Sequence, residues 1–308
     1  MNKKLFLFIP VICGIFWGSG GVFTRVLNDF GMNSLTIFTA RVTLACLMLF
    51  LFLIIFDRQS LKINLKDLWI FIGSGILGVF MLNMCYNEAA FRVSLSLASL
   101  LLSLAPIFAL IISAILFKEE ITKIKLACLV VALFGSFLVS GYFDGGSTVF
   151  SPFGILCGFL SALFWALFGM FSKIASNRGY SSFTITFYSF LIISIAIIPF
   201  ADWGIFAEYL TTNSSFNVPF AIANALFVGV LPYILFNISL SHIDNGLATI
   251  LCSGGEPLSA TVFGALIYSE YPTFLNLIGI FITLIALSAW NNSFTACAST
   301  SMVHAGAF

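Results

Sequence analysis

Charge is scarce in this sequence. Only 8% of its 308 residues are Asp, Glu, Lys or Arg, against about 25% in soluble domains, which excludes a chain that wraps an ordinary core in a water-loving surface. The few charges nearly cancel, 13 basic against 12 acidic, so bulk electrostatics point to no nucleic acid or other polyanion. Histidine occurs only at 242 and 304. With no imidazole placed beside a buried nucleophile and no G-x-S-x-G, a membrane enzyme is disfavoured. The seven cysteines (13, 46, 85, 128, 157, 252 and 297) form no C-x-x-C and have no histidine nearby to complete a metal site. They read as small core hydrophobes. No metal or other cofactor is expected. A Walker motif is absent, which disfavours ATP-driven pumping by this chain alone. Gly73-Ser-Gly75-Ile-Leu-Gly78 fits G-x-G-x-x-G, but it lies inside an apolar run rather than between a strand and a helix, so it predicts no nucleotide site.

Apolar residues are plentiful, at 60% of the chain with 37 Phe. Polar punctuation divides them into ten runs: 5–27, 33–56, 68–91, 94–117, 122–141, 151–175, 180–200, 216–241, 246–269 and 272–290. A bilayer core of ~30 Å needs about 20 apolar residues in a helix. A lone span in lipid must satisfy its own backbone, which a helix does. Runs such as SLLLSLAPIFALIISAILF (99–117) lack the alternation of barrel strands. The predicted fold is therefore an all-α membrane protein with ten transmembrane helices. The first run resembles a signal peptide, but no small-residue cleavage site follows, so it reads as a retained helix.

Lys and Arg set the expected orientation. With the N-terminus inside, ten fall on the cytoplasmic side (Lys3, Lys4, Arg58, Lys62, Lys66, Lys118, Lys123, Lys125, Lys173 and Arg178). Two fall outside (Arg25 and Arg92), and Arg41 lies within the second span. That bias is a strong positive-inside signal. It predicts an integral membrane protein, in the bacterial inner membrane, with both ends cytoplasmic.

The sequence also repeats. A shift of 151 lays residues 97–122 on 247–273, matching Pro106 with Pro257, Ala109 with Ala260, Glu119 with Glu270 and Thr122 with Thr273. More weakly, FWGSGGVFTR (16–25) aligns with FWALFGMFSK (164–173), Trp17 on Trp165 and Arg25 on Lys173. Five spans per copy force the second copy upside down, the inverted arrangement of many transporters. The expected domains are a first five-helix repeat (1–141), a linker (142–150), a second repeat (151–290) and a C-terminal tail (291–308).

The duplicated P-x-x-A-x(9)-E blocks, the WGS of the first helix, Arg41 in the second and the five-plus-five layout resemble the EamA-type drug/metabolite transporter superfamily, over residues 9–290. The resemblance implies secondary transport, often export, of a small metabolite.

Candidate site residues follow from their cost. Glu256 lies ten residues from the inner end of its span, about 15 Å deep, where a charge costs ~2.5–3.5 kcal/mol on insertion scales. Protonation, a cationic partner or a wet cavity must offset it, and it is the expected substrate and proton-coupling residue. Its repeat counterpart is Ala105, so the site is asymmetric. Arg41, about 12 Å deep, can act as a substrate clamp or as a tether between helices. Asn83, Tyr86 and Asn87 share one helical face, and Asn237 aligns with Asn87 at a shift of 150. Such residues line cavities or bind helices together. Trp17 adds an aromatic wall beside the small residues 18–21. Pro106 and Pro257, near the middle of the fourth and ninth spans, are expected helix breaks; packing kinks are the other reading.

These residues suit a zwitterion such as an amino acid, with nucleosides, purines and cationic drugs as alternatives. The partners expected are a small-molecule substrate and the lipid bilayer, with no nucleic acid, in a monomer or homodimer.

Overall fold

The computed structural model describes residues 3–93, 95–139, 151–269, 273–275 and 277–282. The linker 142–150, Glu270, much of the tenth expected span and the tail 291–308 lie outside the described residues. No strand occurs among the described residues. Among the described residues eight helices are long and apolar enough to cross a membrane, namely Phe6–Asp29, Ser34–Phe56, Leu65–Arg92, Leu97–Phe117, Pro152–Asn177, Ser182–Phe200, Ser214–Leu240 and Asn245–Ile267. A shorter apolar helix, Lys125–Gly135, falls in the fifth expected span, and residues 277–282 are helical in the tenth.

In chain order the helices are α1 (Lys3–Gly18), α2 (Gly20–Asp29), α3 (Ser34–Phe56), α4 (Leu68–Ile72), α5 (Met81–Arg92), α6 (Leu95–Leu102), α7 (Ala105–Phe117), α8 (Lys123–Val139), α9 (Pro152–Asn177), α10 (Ser182–Ile197), α11 (Trp203–Thr212), α12 (Ser214–Asn224), α13 (Leu231–Leu240) and α14 (Asn245–Tyr268). Local chemistry sets the starts. Asn33 accepts from Thr36 N at 2.8 Å, Ser151 from Gly154 N at 3.2 Å and Ser181 from Thr184 N at 3.2 Å. These are N-cap bonds that satisfy otherwise orphaned donors. The first span breaks at Ser19, whose hydroxyl donates to the Phe16 carbonyl at 2.6 Å.

The repeat is visible in the backbone. Two segments are π-helical, Gly73–Phe80 between α4 and α5 and Ala225–Val230 between α12 and α13. A shift of 150 superposes them. Such turns are rare and cluster at functional sites. The fourth span of each repeat ends on a left-handed residue, Lys118 at φ 55° and Ser269 at φ 56°, positions 151 apart.

The two halves interleave. α1 packs chiefly on α14, α3 on α10, and α5 on α9. Glycines permit the closest approaches. A Cβ on Gly14 would stand 2.9 Å from Glu256 N and 3.0 Å from Gly255 Cα, so α1 and α14 touch backbone to backbone. Gly73, Gly75 and Gly78 serve the same purpose: a Cβ on each would meet Phe171 at 2.5 Å, the Ser189 carbonyl at 2.6 Å and Phe168 Cα at 2.8 Å. The G-x-G-x-x-G of the sequence is a helix-packing stripe.

One expectation is corrected and one element is new. The fourth span is interrupted at Ser103 and Leu104 beside Pro106, but α14 runs through Pro257 without a break. Pro106 occupies the first turn of α7, where a missing N–H costs nothing. Pro257 lies in a helix interior and forfeits one backbone bond, next to the close contact of α14 with α1. The new element is α11, in what reads from sequence as a loop. Asp202 caps it by accepting from Gly204 N at 3.0 Å and Ile205 N at 3.2 Å. Its Phe206 and Tyr209 pack with Leu27, Met32, Ile37 and Ala40.

Candidate functional site between the two halves

Arg41 and Glu256 are the charges expected deepest in the membrane, and the structure places both near one ring. Arg41, in α3, is half-buried, with its guanidinium carbon 5.6 Å from the centre of the Phe38 ring. Its stem passes the second π-helical segment, where a Cβ on Gly229 would stand 3.7 Å from Arg41 Cγ. Among the described residues no carboxylate lies within 4.0 Å of Arg41.

Glu256 is exposed, whereas residues 245–252 and both glycines before it, 254 and 255, are buried. Its charge acts on Tyr233 of α13 and on Tyr86 of α5. Tyr233 is also within electrostatic reach of Arg41. No ion pair joins the two charges.

Aromatic rings fix Tyr233 in place. Trp17, Phe168 and Phe190 meet it edge-on, with centroids 5.1, 5.4 and 5.0 Å away. Each such pair is worth ~0.5–1.5 kcal/mol beyond area burial, so the ring is held while its hydroxyl makes no hydrogen bond to a described residue. Trp17 also contacts Trp165 at 4.7 Å. The two tryptophans aligned by the sequence repeat touch each other.

The remaining candidates divide. Asn83, Tyr86 and Asn87 on α5 are half-buried. Asn83 donates to the Val79 carbonyl at 2.8 Å, and the Tyr86 hydroxyl lies 3.1 Å from Ser99 Oγ. Asn237 is fully buried and donates to Thr186 Oγ1 at 3.0 Å, joining α13 to α10. Pro106 is buried at the start of α7, which packs between α9 and α14.

Sequence reasoning missed Tyr233 and Trp165 as site residues. Both carried a signal: Trp165 is the repeat counterpart of Trp17, and Tyr233 stands 150 residues from Asn83.

Known proteins share this architecture. A solved crystal structure covering 93% of this chain and 96% of its own superposes with a TM-score of 0.75 at 14% identity, a likeness of fold alone. YdfC, an uncharacterized transporter of Bacillus subtilis, is 26% identical over 72% of this chain and 70% of its own length. For YxxF of the same organism the figures are 27%, 78% and 75%. An uncharacterized transporter of Archaeoglobus fulgidus is 31% identical over 45% of this chain and 48% of its own. The profile of the EamA-like transporter family matches twice, over residues 4–141 and 152–290. Two matches that together span nearly the whole chain, on an all-helical fold with repeated spans, place this membrane protein in the EamA-like transporter family.

Proposed function

We propose that the protein is a secondary transporter that exports a small zwitterionic metabolite such as an amino acid by alternating access, with Glu256 exchanging a proton during the cycle. It lies in a bacterial inner membrane with both ends cytoplasmic, and Arg41, Glu256, Tyr86, Asn83, Asn87 and Trp17 line the substrate site. One observation carries this reading: Arg41 and Glu256, opposite charges in no ion pair with each other, both act on Tyr233. An uncompensated charge at such depth costs ~2.5–3.5 kcal/mol. A ligand bearing both a carboxylate and an ammonium group meets both costs at once, and the aromatic wall receives its side chain. A proton on Glu256 offsets the same cost when no ligand is bound, which links binding to the proton gradient.

In proteoliposomes, Glu256→Gln should abolish substrate accumulation driven by a pH difference while leaving substrate exchange measurable. If the variant still concentrates substrate under a pH difference, Glu256 does not carry the proton. Arg41→Ala should lower transport by about tenfold or more, as expected when a charge-assisted hydrogen bond is lost. Arg41→Lys should recover only part, since it keeps the charge but not the planar donor fork. Wild-type transport by Arg41→Ala would remove this residue from the site.

A further inference from the structure

At the lysine-bearing end of the bundle, side chains of both halves meet. Lys173, late in α9, donates through Nζ to the carbonyls of Leu240 and Ile243, the latter at 3.0 Å. The cation thus sits at the C-terminal end of α13, where the helix dipole favours it. Lys125, early in α8 and 5% exposed, pairs with Asp244 just before α14 and donates to the Glu120 carbonyl at 2.9 Å. Glu119 is half-buried, and its Oε2 is buried with no hydrogen bond from a described residue. The charged groups acting on it are Asp244, Lys173 and Lys125. From sequence, Glu119 and Glu120 read together as a solvated turn; Glu120 is exposed, but Glu119 is drawn inward.

The helices close tightly around this cluster. Asn245 is fully buried with neither amide atom bonded, and a Cβ on Gly169 would stand 2.9 Å from its Cγ. A Cβ on Gly246 would stand 3.0 Å from Leu110 Cγ. From Asn245 to Cys252 every residue of α14 is buried, Ser253 is half-buried, and Glu256 is the first exposed residue of the helix.

We propose that Glu119, Lys125, Lys173 and Asp244 form the cytoplasmic gate of the transporter, with Glu119 as its titrating member. The proposal rests on the orientation and the transport activity put forward above. Lys125 and Asp244 belong to opposite halves, so any movement that opens this end must part them. The chemistry of Glu119 follows from its neighbours. Lys173 is met by two carbonyls and Lys125 by Asp244, so neither depends on Glu119 as a counter-ion. Burial pushes the Glu119 carboxyl above the usual carboxylate range, and Asp244 pushes the same way against the pull of the two lysines. The shut state therefore binds the proton more tightly than an open, hydrated one. By linkage, falling pH favours the shut gate and rising pH the open one. Opening toward the cytoplasm then delivers a proton there, as export against proton entry requires.

Thr249, one turn beyond Asn245 and 1% exposed, is the reporter. In proteoliposomes of known sidedness, a membrane-impermeant thiol reagent is applied to one face of Thr249→Cys, and labelling is counted above that of the native cysteines. With the gate intact, labelling from the lysine-bearing face should be slow. Lys125→Asp should raise it by about tenfold or more, the effect of losing a buried charge-assisted contact, and adding Asp244→Lys should restore protection. Normalised to a freely accessible cysteine, which removes the ordinary rise of thiol reactivity with pH, labelling of the intact-gate protein should rise with pH on that face, and Glu119→Gln should be protected and insensitive to pH. Labelling that neither Lys125→Asp nor pH alters, or that the charge swap does not restore, overturns the gate. If the lysine-bearing face proves to be extracellular in cells while the Lys125 and pH responses persist, the orientation fails and the proposal stands only as a gate on that side. If labelling responds as expected while Glu256→Gln still accumulates substrate under a pH difference, the gate survives and the coupling role of Glu256 does not.

Discussion

The fourth span of each repeat starts from the same sequence template and solves a different problem. In the first repeat the backbone is irregular, since α6 ends at Leu102 and α7 begins at Ala105, and the side chain at the key position is a fully buried alanine. In the second repeat the backbone is continuous from Asn245 to Tyr268, and the matching side chain is the exposed Glu256. One copy keeps the irregular backbone and the other the charge. A duplicated fold can therefore build one asymmetric site without losing the matched π-helical turns or the matched left-handed ends at Lys118 and Ser269. Symmetry lies in the frame, asymmetry in the chemistry.

That contrast can be broken by exchange. The largest effect is expected for Ala105→Glu, which puts a carboxylate where the first repeat offers no open space. The cost should be about 3 kcal/mol or more, read as loss of folded protein in detergent. Gly255→Leu gives the second repeat the residue that the first carries at Leu104, but it drives a side chain into the Val11 carbonyl of α1. Overpacking of this kind costs about 1–3 kcal/mol, and a lowered thermal unfolding temperature should report it. The smallest effects separate the prolines. Pro257→Ala restores a donor for the Ser253 carbonyl and should leave stability equal or higher, with transport little changed. Pro106→Ala should keep stability within about 1 kcal/mol yet slow transport, because it permits the fourth span to become continuous. Equal transport by the two alanine variants would mean that the break at residues 103–104 has no role in the cycle.

Much of the frame was legible in the sequence. Apolar runs near the length of a bilayer core and an all-helical membrane fold follow from transfer free energy and the satisfaction of backbone polar groups, and the alignment of Pro106 with Pro257 follows from the internal repeat. Glu256 and Arg41 could be singled out because a charge in an apolar run is costly enough to demand a reason. What escaped has physical causes as well. Tyr233 and Trp165 look like any other aromatic residue in a Phe-rich chain, and only the packing shows which rings face the charges. The Gly14–Gly255 approach is a long-range contact that no local propensity encodes. Helix α11 is ten residues long and half apolar, too short for a span and too polar to separate from a loop until its Phe206 and Tyr209 face is seen against α2 and α3.

The contact of Gly14 with Gly255 has a mechanical consequence. With a Cβ on Gly255 only 3.3 Å from Gly14 Cα, no side chain separates the two helices that could bend, swap rotamer or compress. The joint resists sliding and approach but offers little resistance to pivoting, and in this respect it works as a fulcrum. Asn245 stands ten positions from Gly255, a helical arm of about 15 Å, so a tilt of about 10° at the glycines would swing the far tip by about 2.6 Å, comparable to the small helix shifts by which packed interfaces switch. If the proposed gate opens by such a tilt, a pair of residues with no side chains is enough to part the ion pair at the end of the bundle.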